Sequence, residues 1–190
     1  MKQEWENRYR QGQTGWDRGD VSPALNMMLD HTGLTAGRLL TPGCGRGHEV
    51  VELARRGFKV TALDISSSAI GHLKRSLAQE KLQAEVLEVD MLQWQTKYPF
   101  DAVYEQTSLC ALDPVYWEQY EEQLYNWLKP GGFLLALWMQ TFSQGGPPYH
   151  CDPGSLKQLF PPVRWNWSEQ IETVEHPSGR HEAAYVLTRK

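Results

Sequence analysis

Short apolar segments alternate with amphipathic segments over most of the chain. The apolar runs have the length of buried strands and lie at residues 38–41, 59–63, 84–87, 101–104 and 133–138. Between them, apolar residues recur at helical spacing near residues 48–56, 67–80 and 114–128. This alternation predicts an α/β fold in which a mostly parallel sheet carries helices on both faces.

The two ends of the chain add further elements. Residues 2–10 place charged and aromatic side chains at helical spacing, and Ser22-Pro23 predicts a second helix that Gly33 ends. After residue 139 we expect a loop, a short helix at 154–160, and late strands at 163–171 and 182–188. With no linker or repeat, the pattern predicts one domain, in which helices at 1–35 precede a core at 36–190.

Composition and charge exclude several classes of protein. The 190 residues carry a net charge of −4 without a block of Lys or Arg, so we expect neither nucleic acid nor an anionic membrane as a partner. No run approaches the roughly 20 apolar residues of a membrane span. Cys44, Cys110 and Cys151 are odd in number and widely spaced, which predicts no disulfide framework, no metal site and a cytoplasmic location.

A glycine-rich turn carries the strongest chemical signal. The sequence Leu-Leu-Thr-Pro-Gly-Cys-Gly-Arg-Gly-His at 39–48 leads from a predicted strand into a predicted helix. Glycine at 43, 45 and 47 permits a tight turn and lets a ligand approach the start of the helix without meeting a Cβ. A nucleotide-type ligand is implied, although glycine triplets also occur in structural loops.

Two acids follow the next two predicted strands. Asp64 ends the strand at 59–63, where a carboxylate can accept hydrogen bonds from both ribose hydroxyls. Asp90, with Met91 beside it, follows the third strand, where a carboxylate can accept from an adenine amino group. Asp64 could instead cap a helix, and Asp90 could be a solvated loop acid.

The glycine spacing separates two classes of adenosine-binding enzyme. A dinucleotide fingerprint, Gly-x-Gly-x-x-Gly, requires glycine where His48 stands. The observed Gly-x-Gly-x-Gly is the spacing of methyltransferases, which disfavours an NAD-dependent oxidoreductase. A non-catalytic module that senses S-adenosylmethionine remains a second alternative.

Several segments together resemble one family. They are Trp5, Gly15-Trp16-Asp17, the 40–48 turn, Leu63-Asp64-Ile65-Ser66, Cys110-Ala111-Leu112-Asp113-Pro114 and Gly145-Gly146-Pro147-Pro148-Tyr149. From Trp5 to about Phe160 the chain resembles the thiopurine S-methyltransferase-like branch of the class I methyltransferases, which includes plant thiol and halide methyltransferases and small bacterial relatives.

The resemblance implies a fold and a cofactor site. It implies a Rossmann-like, doubly wound, seven-stranded sheet, mostly parallel with an antiparallel last strand, preceded by an N-terminal helical lid. It also implies S-adenosylmethionine as the cofactor, with Trp5 and Trp16 closing over it. The cofactor-binding residues expected from motifs and resemblance are Trp5, Trp16, Gly43, Cys44, Gly45, Gly47, Asp64, Ile65, Asp90, Met91 and Glu105.

The acceptor site is less well defined by the resemblance. It implies a small, soft acceptor (a thiol, a thiopurine-like compound, or a selenium, tellurium or halide species) and catalytic residues Tyr149, Gln106 and Glu105. Glu105 stands where relatives carry Asp, while Gln106 replaces Arg or Tyr, so the acceptor's identity stays open. Roles for His150 and Cys151 stay open as well, and the oligomeric state is undetermined, with a monomer allowed.

Overall fold

A computed structural model describes residues 2–190. The helices are α1 (Lys2–Arg10), α2 (Ala24–Thr32), α3 (His48–Arg55), α4 (Ser67–Gln79), α5 (Trp117–Trp127) and α6 (Pro153–Leu159). The strands are β1 (Arg38–Pro42), β2 (Lys59–Asp64), β3 (Glu85–Glu88), β4 (Phe100–Gln106), β5 (Leu128–Gln140), β6 (Trp165–Trp167), β7 (Glu172–Glu175) and β8 (His181–Arg189). Every predicted strand and helix is present, with shifted boundaries.

One sheet organises the molecule. Its strand order is β3-β2-β1-β4-β5-β8-β6, and β7 also pairs with β8. Strands β1 to β5 are parallel to their neighbours, whereas β8 runs antiparallel to β5. The predicted doubly wound α/β fold with an antiparallel last strand is therefore confirmed.

The strand count differs from the predicted seven. The segment predicted as a strand at 163–171 forms only the short strand β6, and a further short strand that the sequence did not predict, β7, follows it on the same edge of β8. Between them, the Ser168 hydroxyl accepts a hydrogen bond from the Val186 amide at 3.0 Å. A side chain thus takes the place of a backbone carbonyl, and the regular ladder is interrupted there.

Apolar side chains cover both faces of the sheet. On one face, α5 and α6 bury Tyr120, Trp127, Trp138 and Phe160 against the strands. On the other face, α2, α3 and α4 contribute a second cluster that includes Met28, Leu53 and Leu73. Much of the aromatic surplus is thereby accounted for as core packing.

The element boundaries leave the carboxyl ends of β1, β2 and β4 open to one side. Gly33, in the left-handed conformation, ends α2, and Ser66 caps α4 by accepting from the Ala69 amide. The predicted helix at 114–128 begins as a 3₁₀ turn before α5.

No helix within residues 2–190 has the length and apolarity needed to cross a bilayer.

Candidate functional site

The glycine turn between β1 and α3 is packed too closely for larger residues. Gly43 and Gly47 have φ values of +56° and +77°, in the left-handed region. A Cβ on Gly43 would lie 2.4 Å from Ser108 Oγ, and one on Gly47 would lie 2.4 Å from Leu73 Cδ1. Both the backbone conformation and the space around the turn therefore require glycine.

Asp64 holds this turn from the end of β2. One carboxylate oxygen accepts from the Gly45 amide at 2.8 Å and the other from the Ser66 amide at 2.8 Å. The side chain is buried, which raises the pKa of Asp64. Since Ser66 caps α4, the alternative of Asp64 as the helix cap is set aside.

A cavity of about 450 Å³ opens at the carboxyl ends of β1, β2 and β4. This volume is within the usual range of small-molecule sites, roughly 300–1,000 Å³. The predicted site residues that line it are Trp5, Trp16, Gly43, Cys44, Gly45, Asp64, Ile65, Asp90, Met91 and Gln106. Residues from five separate segments thus meet around one space.

Three predicted site residues do not line the cavity. Gly47 supports the turn from behind, against Leu73. Glu105 lies beneath the cavity floor and accepts from the amides of Ser108 (3.1 Å) and Leu109 (2.8 Å). Its second oxygen has no partner within residues 2–190, and burial raises the pKa of Glu105 to about 7.

Tyr149 is the third predicted residue outside the cavity lining. Its amide donates to the Cys110 carbonyl at 2.7 Å, and its ring packs so closely on Gly146 that a Cβ there would lie 2.6 Å from Tyr149 Cγ. The neighbouring Pro147 and Pro148 line the cavity in its place.

His150 and Cys151 also lie outside the lining. The Nδ1 atom of His150 accepts from the Thr141 amide at 3.1 Å, and its ring is 5.0 Å from that of Phe142. Cys151 is fully buried in the core. In this arrangement His150 contacts the 141–142 segment and Cys151 contacts the core.

Aromatic side chains from the N-terminal segment roof the cavity. The ring centroids of Trp5 and Trp16 are 5.2 Å apart in an edge-to-face arrangement, and Tyr9 stands 5.5 Å from Trp16. The Tyr9 hydroxyl lies 2.9 Å from where a Cβ of Gly45 would be. We call α1 together with residues 11–18 the lid.

A buried acid fastens the lid to the start of α4. The Glu6 carboxylate accepts from the Ser66 hydroxyl at 2.7 Å, the Ser68 amide at 3.0 Å and the Ser68 hydroxyl at 2.7 Å. The hydrogen bonds from Ser68, followed by that from Ser66, lower the pKa of Glu6 to about 2. A carboxylate is also favoured at a helix N-terminus, where the backbone amides point outward.

A second anchor joins the lid to the glycine turn. Asp17 lies 3.0 Å from Arg46 Nη1 and 2.9 Å from His48 Nε2. The hydrogen bond between Asp17 and His48 lowers the pKa of Asp17 and raises the pKa of His48. The lid is therefore held over the turn by charge as well as by apolar contact.

At the far end of the cavity, Gln106 belongs to a polar network. Its Oε1 accepts from the Tyr104 hydroxyl at 2.9 Å, and its Nε2 donates to the Glu182 carboxylate at 3.2 Å. Arg18 Nη2 donates to Glu182 at 3.2 Å and to the Glu175 carbonyl at 2.7 Å. Burial raises the pKa of Glu182 to about 7, although Arg18 and Gln106 oppose that effect.

Several residues that line the cavity are not predicted from the sequence. Tyr9 follows Trp5 by one helical turn and Arg18 follows the Gly-Trp-Asp motif, so both could be found by extending recognised motifs. His176 and Arg180, on the turn between β7 and β8, give no signal, because only the tertiary fold brings them to the cavity.

Comparison with known proteins shows the family of the chain. A family model described as thiopurine S-methyltransferase matches residues 1–189. Thiocyanate methyltransferase 1 of Arabidopsis thaliana is 32% identical over 177 residues, which cover 91% of this chain and 76% of the relative. The thiopurine S-methyltransferase of Pseudomonas fluorescens is 29% identical over 174 residues, 82% of this chain and 80% of the relative.

The same fold occurs in a solved structure with ligands bound. It is the 1,6-didemethyltoxoflavin-N1-methyltransferase of Burkholderia thailandensis, with 1,6-didemethyltoxoflavin and S-adenosylhomocysteine. The two chains match with a TM-score of 0.83 at 17% identity, over 100% of this chain and 87% of that one. By its fold, its glycine turn and its family match, this chain belongs to the thiopurine S-methyltransferase family of S-adenosylmethionine-dependent methyltransferases.

Proposed function

We propose that this methyltransferase acts on the sulfur, or a similarly soft atom, of a small acceptor. The observation that carries the proposal is a single cavity that joins the glycine turn and Asp64 to an acceptor end at Gln106. The names of the relatives, thiocyanate, thiol and thiopurine S-methyltransferases, support acceptors of this kind.

The residues at the turn end fit the cofactor. Asp64 and Asp90 offer carboxylates, Gly43 and Gly45 leave the turn without side chains, and the lid lies above them. When bound, S-adenosylmethionine supplies an electrophilic methyl group on a positively charged sulfur. Trp5, Trp16 and Tyr9 would exclude water, and a ring face turned toward that charge would favour the cation.

The carboxylates and imidazoles that line the cavity in residues 2–190 offer no evident base for the acceptor, because those other than the cofactor-end acids and Asp20 are held by partners in the protein. Asp17 is engaged by Arg46 and His48, Glu49 accepts from the Ser22 amide at 3.0 Å, and His176 Nε2 is 3.1 Å from the Trp16 carbonyl. Asp20 is exposed and accepts from the amide of Val21.

A soft acceptor needs no such base. A thiol with a pKa near 8.5 is already a few per cent thiolate at neutral pH. The protein would then contribute mainly alignment and exclusion of water, which can supply roughly 7–11 kcal/mol. We therefore expect the rate to follow the fraction of acceptor that is ionised.

The proposal extends to the setting of the enzyme. The net charge of −4 and the widely spaced cysteines support a cytoplasmic enzyme of small molecules that binds no nucleic acid. We also infer that residues 1–190 act as one domain, since a single sheet carries the cavity.

An acceptor screen tests the proposal. Release of S-adenosylhomocysteine is measured with small thiols, thiocyanate, iodide, catechols and amines, and activity is expected with the sulfur and halide acceptors. Activity confined to catechols or amines would contradict the soft acceptor. Binding of cofactor without transfer to any acceptor would indicate a sensing module.

Calorimetry tests the cofactor site separately. S-adenosylhomocysteine should bind with micromolar affinity and NAD should not bind. Asp64→Ala should weaken S-adenosylhomocysteine binding by about 1–3 kcal/mol, the range for a lost hydrogen-bonded polar group. Unchanged affinity in a folded Asp64→Ala variant would remove Asp64 from the site.

A further inference from the structure

The cavity lining contains arginines as well as acidic residues, and most of these arginines are paired with carboxylates. Four arginines line the space, and three of them are paired: Arg8 with Glu4 (3.0 Å), Arg18 with Glu182 (3.2 Å) and Arg46 with Asp17 (3.0 Å). The fourth, Arg180, has no carboxylate within 4.0 Å among residues 2–190. It is half-buried, so part of its hydration is lost without a compensating partner.

The backbone fixes Arg180 at the acceptor end. Its carbonyl accepts from the His176 amide at 2.8 Å, which closes the turn between β7 and β8. Arg18 reaches the same turn through the Glu175 carbonyl at 2.7 Å. Arg18 also shares Glu182 with Gln106, and Arg180 lies two residues before Glu182 on the same face of the chain, so both arginines lie on the Gln106 side of the cavity.

The neighbours of Arg180 leave its charge uncompensated. His176 lines the cavity beside it, with Nε2 at the Trp16 carbonyl and Nδ1 2.7 Å from the Ser178 hydroxyl. Burial, and then the charges of Arg18 and Arg180, lower the pKa of His176, which keeps it neutral. Glu182 is hydrogen-bonded to Arg18 and Gln106, and the buried Nε of Arg18 has no hydrogen-bond partner among residues 2–190.

We propose that Arg180, with Arg18 beside it, forms an anion-binding subsite that selects acceptors entering as small anions. The ligand chemistry is a monoanion, either the reacting atom itself or a carboxylate on the acceptor. A charged guanidinium in a partly desolvated site binds such groups through charge-assisted hydrogen bonds. This inference rests on the proposed function for the identity of the acceptor end.

Equilibrium binding tests the subsite without turnover. Benzoate and its uncharged analogue benzamide are titrated into the S-adenosylhomocysteine complex of the wild type, Arg180→Gln, Arg180→Lys and the control Arg75→Gln. Arg75 is exposed on α4 and outside the cavity lining, so the control makes the same charge change elsewhere.

We expect benzoate to bind the wild type more tightly than benzamide. Arg180→Gln should weaken benzoate binding by about tenfold or more, the scale of one hydrogen bond to a charged group, while benzamide changes less than about twofold. Arg180→Lys should retain part of the preference, and Arg75→Gln all of it. Equal binding of benzoate and benzamide by the wild type would overturn the subsite.

Turnover then separates the two sources of the anion. If Arg180 contacts the reacting atom, Arg180→Gln lowers kcat/KM for thiophenol, thiocyanate and 4-mercaptobenzoate alike. If it contacts a carboxylate, only 4-mercaptobenzoate is affected. A weaker affinity of Arg180→Gln for S-adenosylhomocysteine, with unchanged benzoate binding, would assign Arg180 to the cofactor and overturn the proposal.

The binding and turnover experiments fail independently. If the wild type methylates none of the three acceptors, the soft-acceptor function is contradicted, while the benzoate titration still decides whether Arg180 binds an anion. If the acceptors react and neither benzoate binding nor kcat/KM depends on Arg180, the subsite alone is wrong.

Discussion

Removal of the Glu6 carboxylate should release the lid from the body of the enzyme. Glu6 on α1 accepts three hydrogen bonds from Ser66 and Ser68 at the start of α4. Its side chain is only 8% exposed, so water does not replace these bonds while the lid is docked. Glu6→Ala deletes all three and leaves the donors of α4 to be solvated.

The size of the effect follows from these contacts. A hydrogen bond to a charged group contributes about 1.5–3 kcal/mol, and an undocked lid regains part of that from water. Taking about 1 kcal/mol for each bond gives about 3 kcal/mol, or on the order of 100-fold in the ratio of docked to undocked lid.

Hydrogen exchange of the amides in α1 measures this ratio. Protection of residues 4–10 should fall by up to about 100-fold in Glu6→Ala, while the amides of β4 and β5 stay protected. Glu4→Ala is the matched control, because Glu4 lies on the same helix, is largely exposed and pairs with Arg8 of that helix. Equal loss of protection in the two variants would refute the reasoning.

The same carboxylate predicts a pH dependence of lid docking. The pKa of Glu6 falls from an ordinary value of 4.5 to about 2 when it is docked. Its contribution is therefore complete above about pH 4.5 and is lost as the pH falls toward 2. Protection of α1 should decrease over that window more strongly in the wild type than in Glu6→Ala, in which only the Asp17 anchor still loses its charge.

Three further predictions concern Glu105 beneath the cavity, Gly47 in the glycine turn and Tyr149 in the loop after β5. Burial raises the pKa of Glu105 to about 7, so its contribution to the free energy of unfolding should be lost as pH rises from about 4.5 to 7. This loss is on the order of 3 kcal/mol, and urea unfolding of Glu105→Gln should not show it. Gly47→Ala should lower the free energy of unfolding by about 1–3 kcal/mol, since its Cβ would meet Leu73 at 2.4 Å; an unchanged urea midpoint would contradict that clash. Tyr149→Phe should change turnover with a thiol less than about twofold, since the ring does not line the cavity; a threefold to tenfold loss with unchanged S-adenosylhomocysteine affinity would restore the direct role that the sequence suggests.

Local patterns in the sequence determined the fold class and one half of the site. Alternating apolar runs and helical periodicities predict the parallel sheet, because both depend only on near neighbours in the chain. The glycine turn and Asp64 are likewise predictable, since consecutive βα units place the carboxyl ends of adjacent strands together. Trp5 and Trp16 came from the resemblance, and the structure brings their rings within 5.2 Å.

The acceptor half of the site depends on the tertiary structure. Arg18 is 164 residues from Glu182 in the chain and shares no motif with it or with Arg180, yet the fold brings Arg18 into contact with Glu182 and with the end of β7 that pairs with β8 beside Arg180. Glu105 follows the expected strand but points into the core, because side chains alternate between the two faces of a strand and the register of β4 places it there. A sequence pattern indicates which residues of a strand share a face, whereas packing between distant segments decides which of those faces meets a ligand.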